Sequence, residues 1–345
     1  MLRTFVPFLI PLAALALSLL LFGGFVSLAG ADMLGVYHSI YRGAFGTWFS
    51  WQNTLTSAAP LMLTALCTAL PARLGLIVIG GEGAVVLGGL AAALTGLVLM
   101  DANPWVALTG MALAAMLAGG LLIGLVGWLR HRRNVNETIS SLLFNYICIA
   151  LLSFLVMGPL RDPATLNKPS THHIGDTHML GTLGESSIHW GFAYGVIACL
   201  ILWVAYKRTS FGFAVDMVGG NVRAALLSGL PVGRTVFWVC MMGGGAAGLA
   251  GMVEVAAVHG RANASLNAGY GYEGILIAFA ARHHPLAIVP MAILFGGIRA
   301  ASGLMQRDHD LPDATSLVLQ GTIFVLLLAS EAVFTRLSKR QGGRS

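Results

Sequence analysis

Long apolar runs separated by short polar interruptions make up most of this chain. The first run covers residues 5–25. About 20 mostly apolar residues suffice for a helix to cross a hydrocarbon core, and further runs predict crossings from residue 56 and over 82–100, 106–128, 139–157, 190–206, 236–258, 286–304 and 315–334. The run EGILIAFAA at 273–281 is too short to cross unless its helix is extended or broken. Pro71, Arg73 and Gly75 interrupt the second run before LIVIGGEG, and the aromatic, moderately polar stretch 37–53 suits an interface. Two polar segments are longer. Residues 158–189 carry Pro159, Pro163, Pro169 and four histidines and form an external loop or small cap, and residues 207–234 are basic and amphipathic.

Basic residues concentrate on the cytosolic side of a membrane protein. With an internal N-terminus, ten crossings put RHRR at 130–133, the 207–234 segment, ARHH and the C-terminal tail together on that side. Nine would move the basic tail outside. The expected fold is therefore all-α and integral to the membrane, with about ten transmembrane helices, two of them broken or short, in one domain spanning residues 1–345.

Composition agrees: 57% of the 345 residues are hydrophobic and 10% charged, against roughly 25% charged in soluble domains. No room remains for a large soluble domain, and a net charge of +6 reads as loop topology rather than nucleic-acid binding. Cys67, Cys148, Cys199 and Cys240 all lie in apolar runs without CxxC spacing, so they read as core residues. The first run reads as an uncleaved span rather than a secretory signal, given the apolar segments that follow it.

Two glycine-flanked glutamates stand out. VIGGEGAVVLGG at 78–89 breaks an apolar run at Glu82, and AGYGYEGILIAF at 268–279 does so at Glu273. Interrupted helices free backbone amides at membrane depth. The echo suggests two related halves whose breaks meet at a central route; small-residue packing is the plain alternative. Arg73 and Glu82 are candidates for an ion pair, because an unpaired ion in hydrocarbon is costly, and Glu254 and Arg299 raise the same question. GGNVRAALLSGL at 219–230 combines a cap at Asn221 with apolar Val222, Ala225 and Leu226. Such a helix either lies on the membrane surface or inserts into a groove on a partner. The chain contains no Walker A pattern and no H-E-x-x-H, so an ATPase, if used, is a separate polypeptide. His172, His173, His283 and His284 read as solvated loop residues rather than metal ligands.

Residues 56–89, NETISSLLFNYI at 136–147, GGNVRAALLSGL and GYGYEGILIAFAARHHPLAIVPMAILFGGI at 269–298 together resemble, in order, the blocks of nucleoside and simple-sugar ABC importer permeases, of the branched-chain amino acid/ribose-like type. The resemblance implies a multi-pass inner-membrane permease with cytosolic termini and no covalent chemistry of its own. It implies ATP and magnesium on a cytosolic ABC ATPase, with no cofactor on this chain. Cargo would come from a periplasmic or lipid-anchored solute-binding protein, and a second permease subunit, homologous or identical, would complete the route.

By the same resemblance, Asn221, Arg223, Ala224, Ala225 and Gly229 fall on the ATPase-coupling motif. Gly80, Gly81, Glu82, Gly83, Glu273 and Gly274 lie near the cargo route. Asn136, Glu137, Asn145 and Tyr146 belong to a further block, from which Asn145 and Tyr146 join the route, and Tyr146, Tyr270 and Tyr272 are aromatic candidates for stacking a base. A nucleoside is the leading cargo and a simple sugar the alternative, although Val78 and Ala84 replace the asparagine and glutamine usual in the nucleoside branch. An ion-coupled secondary transporter is the competing class.

Overall fold

A computed structural model describes the backbone of residues 2–165 and 167–342, with side chains for 13–165 and 167–330. Apart from two isolated β-bridges, its regular structure is helical. The helices are α1 (Leu2–Leu28), α2 (Met33–Ala44), α3 (Trp48–Ala72), α4 (Gly81–Val98), α5 (Pro104–Arg133), α6 (Glu137–Met157), α7 (Gly191–Arg208), α8 (Ser210–Gly220), α9 (Val222–Leu227), α10 (Val232–Val253), α11 (Tyr270–Ala280), α12 (Pro285–His309) and α13 (Ala314–Gly342). Among the described residues, seven helices are long and apolar enough to cross a membrane, or eight if one bent pair counts as a span. The chain is thus an all-α, multi-pass membrane protein, with seven or eight such helices among its described residues where the hydropathy pattern predicts ten. Of the remaining predicted crossings, α11 has 11 residues, about half of what a span needs, whereas α1, with 27 residues, and α13, with 29, extend beyond the residues whose side chains are described.

The chain divides into two compact units, residues 1–57 with 293–345 and residues 58–292. In the first, α1 runs against α13. The stretch 37–53 is not a single interfacial segment, since it supplies most of α2 and the start of α3. Helices α1 and α2 meet at 118°, where Asp32 accepts the Gly35 N–H at 2.8 Å and caps α2. The hydroxyl of Tyr37 donates to the Leu19 carbonyl, and Ser39 Oγ meets His309 Nε2 at 3.0 Å. Pro60 and Pro71 both sit inside α3, as membrane helices tolerate when neighbours satisfy the freed carbonyls.

The second unit is built around α4, α5 and α10, which pack on one another. Small residues make this possible. A Cβ placed on Gly88 would strike the backbone of Gly248, and one on Gly119 would strike Gly244 and Gly248. Without a hydrophobic drive between helices in lipid, such close backbone approach provides the van der Waals contact that holds them. Along the α5–α10 seam Gly119 meets Gly248, Gly120 meets Met241, Gly124 meets Phe237 and Gly127 meets Val236, so the two helices run antiparallel. All four cysteines are free and buried.

Residues 158–165 and 167–190 fold back as a cap on the end of α10, which continues as a π-helical turn, Glu254–His259. Leu180 N–H donates to the Ala256 carbonyl, Ile174 N–H to Gly260 and Thr171 N–H to Ala262. Asp162 faces Arg261 at 3.9 Å and His172 at 3.6 Å. The loop histidines divide by environment. His172 stays exposed, whereas His178 and His189 are buried, and His178 Nδ1 lies 2.9 Å from the Ile174 carbonyl. His283 packs edge-on against Phe279 with ring centroids 4.7 Å apart rather than standing free in solvent.

Candidate functional site at the paired helix breaks

After α3 ends, residues 73–75 turn and residues 76–79 have no regular structure before the start of α4. Irregular backbone inside a membrane protein needs partners for its polar groups, and α6 supplies them. Ile79 N–H donates to Ser141 Oγ at 3.1 Å, and Thr138 Oγ1 donates to the Ile77 carbonyl at 2.9 Å. Glu137, Ser141 and Asn145 recur every four residues, so one face of α6 is polar and buried. Asn136 caps the helix by accepting the Ile139 N–H at 3.1 Å. Arg130 reaches the Glu137 carboxylate at 3.2 Å.

The second break runs from Gly260 to Gly269, and α11 starts from Gly269 at φ 85°. Gly269 has no side chain with which to cap that helix. Glu82, in the first turn of α4, does so instead: its carboxylate accepts the Gly269 N–H at 2.7 Å and the Gly271 N–H at 2.5 Å. The two helix starts touch so closely that a Cβ on Gly271 would collide with the Glu82 backbone nitrogen. Two helix N-termini, each bearing partial positive charge, thus share one buried carboxylate.

The neighbouring candidates join the same cluster. Gly80 lies against Ser141, Gly83 against Asn145, and Gly274 against Thr64 of α3. Asn145 Nδ2 donates to the Tyr272 hydroxyl at 2.6 Å. Its Oδ1 is buried and makes no hydrogen bond among the described residues. Glu273 is buried in the first turn of α11, while Tyr270 is partly exposed. Tyr146 is 59% exposed, with Leu143 and Ile147 also on the outer side of α6, and lies within electrostatic range of Tyr272. Val78 and Ala84 are wholly buried in the apolar core.

The expected Arg73–Glu82 pair does not form. Arg73 instead lies 3.9 Å from Asp216 of α8 and stacks over the Tyr206 ring at 4.4 Å. Since Asp216 is largely exposed, the ion pair contributes little and the ring contact matters more. Glu254 lies 3.7 Å from His259 within the π-helical turn.

In the 207–234 segment, Asn221 accepts the N–H groups of Arg223 at 3.0 Å and Ala224 at 3.1 Å, capping α9 as its position predicts. Gly229 ends the following turn at φ 76°. Ala225 is completely buried; Val222, Leu226 and Leu227 are the exposed apolar residues, Leu227 at 91%. Among the described residues, no three His, Cys, Asp or Glu side chains cluster as metal ligands.

Comparison with known proteins places this arrangement. Residues 50–328 match the family described as branched-chain amino acid transport system / permease component. The chain is 32% identical to the glucose ABC transporter permease protein TsgB13 of Haloferax volcanii, over 94% of this chain and 87% of that one. It is 26% identical to the guanosine ABC transporter permease protein NupP of Bacillus subtilis, over 94% of each. With the nucleoside ABC transporter permease protein NupB of Lactococcus lactis it shares 25% identity, over 92% and 90%. The chain belongs to the branched-chain amino acid transport system / permease component family and is a membrane permease component of an ABC-type importer, a transport subunit rather than an enzyme.

Proposed function

We propose that this permease carries a small polyhydroxylated solute, with a simple sugar ranked ahead of a nucleoside, along a route beside the paired breaks. The observation that carries this reading is the buried, unbonded Asn145 Oδ1 next to the Tyr272 hydroxyl. A buried acceptor without a donor costs about 1–3 kcal/mol, and a sugar hydroxyl is a donor that offsets this as cargo passes. Stacking of a base has weaker support, since Tyr146 is 59% exposed on the outer side of α6. The relative named for glucose is also more similar to this chain than the one named for guanosine.

In this reading ATP and magnesium act on a separate cytosolic ATPase, a solute-binding protein delivers cargo, and a second permease subunit completes the route. Helix α9 docks on the ATPase through Val222, Leu226 and Leu227, while Asn221, Arg223, Ala224 and Gly229 shape the segment. Arg73 joins α8 and α7 to the turn that opens the first break, so a shift of the coupling segment is felt at Glu82. The chain crosses the inner membrane ten times, with α1, α11 and α13 added to the seven long helices, both termini in the cytosol and the 158–189 cap outside.

The test is ATP-dependent accumulation of labelled glucose, ribose and guanosine in proteoliposomes holding the permease, its ATPase and its binding protein. Sugar accumulation above that of guanosine is expected. Stronger guanosine uptake would reverse the ranking, and uptake independent of ATP would remove the importer mechanism.

A further inference from the structure

A groove of about 510 Å³ opens between the end of α5, the start of α10 and the α9 segment. Its lining includes Trp128, Leu226, Phe237 and Trp238 together with Arg132 and Arg234. Both tryptophans are about half exposed. Helix α5 ends in Arg130, His131, Arg132 and Arg133. Arg130 is neutralised by Glu137 at 3.2 Å, but neither Arg132 nor Arg234 forms an ion pair among the described residues. The groove thus joins an apolar, aromatic wall to two uncompensated guanidinium groups at one end of two membrane helices.

Aromatic rings prefer the headgroup level of a bilayer, and basic pockets between membrane helices suit anionic headgroups. Guanidinium groups bind phosphate through several directed N–H donors. We propose that this groove is a binding site for one anionic phospholipid, with its phosphate between Arg132 and Arg234 and an acyl chain along Trp128, Phe237 and Trp238. Because Leu226 of α9 forms part of the wall, the bound lipid steadies the segment between α8 and α10. The site is independent of the cargo, and it shares Leu226 with the face of α9 proposed above to dock on the ATPase.

Full-length permease in detergent micelles is titrated with brominated phosphatidylglycerol or brominated phosphatidylcholine, and tryptophan quenching is followed. Phosphatidylglycerol is expected to quench at a several-fold lower mole fraction. The excess should disappear in R132Q/R234Q, persist in R132K/R234K, and be mostly lost in W128F/W238F. Equal quenching by the two lipids in the wild type would overturn the site. So would an excess that survives R132Q/R234Q or W128F/W238F in monodisperse, helical protein. Full displacement by glycerol phosphate would assign the groove to a free phosphate compound. Loss of the excess on adding the ATPase would assign it to a protein partner, and either result overturns the lipid.

Discussion

The Glu82 carboxylate and the Gly271 N–H meet at 2.5 Å although 189 residues separate them, and this contact joins the starts of two broken helices. A charged acceptor makes the stronger kind of hydrogen bond. Glu82→Gln keeps the shape but offers only one acceptor oxygen to two amides. It is expected to cost about 2 kcal/mol and to lower the melting temperature of the detergent-solubilised protein by several degrees, with transport reduced further. A melt unchanged within a degree would mean that this carboxylate does not hold the breaks together.

The same junction predicts a contrast between two glycines. A methyl at Gly271 would overlap the Glu82 backbone, which cannot withdraw as a flexible side-chain tip can, whereas Gly303 in α12 has nothing within 4 Å of its missing Cβ. Gly271→Ala should destabilise by about 1–3 kcal/mol through overpacking. Gly303→Ala should be neutral or slightly stabilising, because alanine is the better helix former. Thermal melts of the pair give the order, and equal effects would contradict the close approach.

On α9, burial separates folding from docking. Ala225→Glu places a carboxylate among core side chains, a desolvation cost of several kcal/mol, so lower yield and a lower melting temperature are expected. Leu227→Glu changes a 91% exposed position and should leave the melt unchanged while weakening crosslinking of this segment to the ATPase severalfold. Normal crosslinking and uptake in the Leu227→Glu protein would remove that residue from the interface.

His189 gives the cap a pH dependence of defined sign. Burial pushes the imidazole down to about 4 from an ordinary value of 6.5, and Nδ1 accepts the Gly191 N–H at 3.1 Å at the start of α7. Between these values the unfolded chain binds the proton and the folded chain does not. The stabilisation is therefore complete above pH 6.5 and is lost as pH falls toward 4, by up to about 3 kcal/mol. His189→Gln should flatten the fall in melting temperature between pH 7.5 and 5, and an identical slope in wild type and variant would show that another group is responsible.

Orientation is open to chemical labelling. In a background without the four native cysteines, Ser228→Cys, on the exposed turn after α9, should react with an impermeant maleimide only in opened vesicles. Glu185→Cys, exposed in the 158–190 cap, should react in intact cells. The reverse pattern would invert the topology.

Most membrane helices are legible in the apolar runs, because a hydrocarbon core imposes length and composition on each span separately. Helix α4 begins at Gly81, one residue from its expected start, and Asn221 caps α9 because a cap is a local matter. The breaks around Glu82 and Glu273 were visible for the same reason. The bend between α1 and α2 was not: an aromatic, moderately polar stretch fits a flat interface and a short helix equally well. Helix α3 starts at Trp48, not near residue 56, because Gln52 and Asn53 interrupt a hydropathy run without interrupting helical hydrogen bonding. The inward face of α9 is not legible in the sequence, since a helix of six residues has fewer than two turns from which to read a period. Partners lie beyond any local pattern. Glu82 meets the amides of Gly269 and Gly271 rather than Arg73, and Arg73 meets Tyr206 and Asp216, because a buried ion takes whichever donors or acceptors the packed backbone brings within reach. The sequence by itself determined where the chain enters lipid and where its helices break. Only the tertiary structure decided which broken ends meet, because that follows from glycine-lined contacts between segments far apart in the chain.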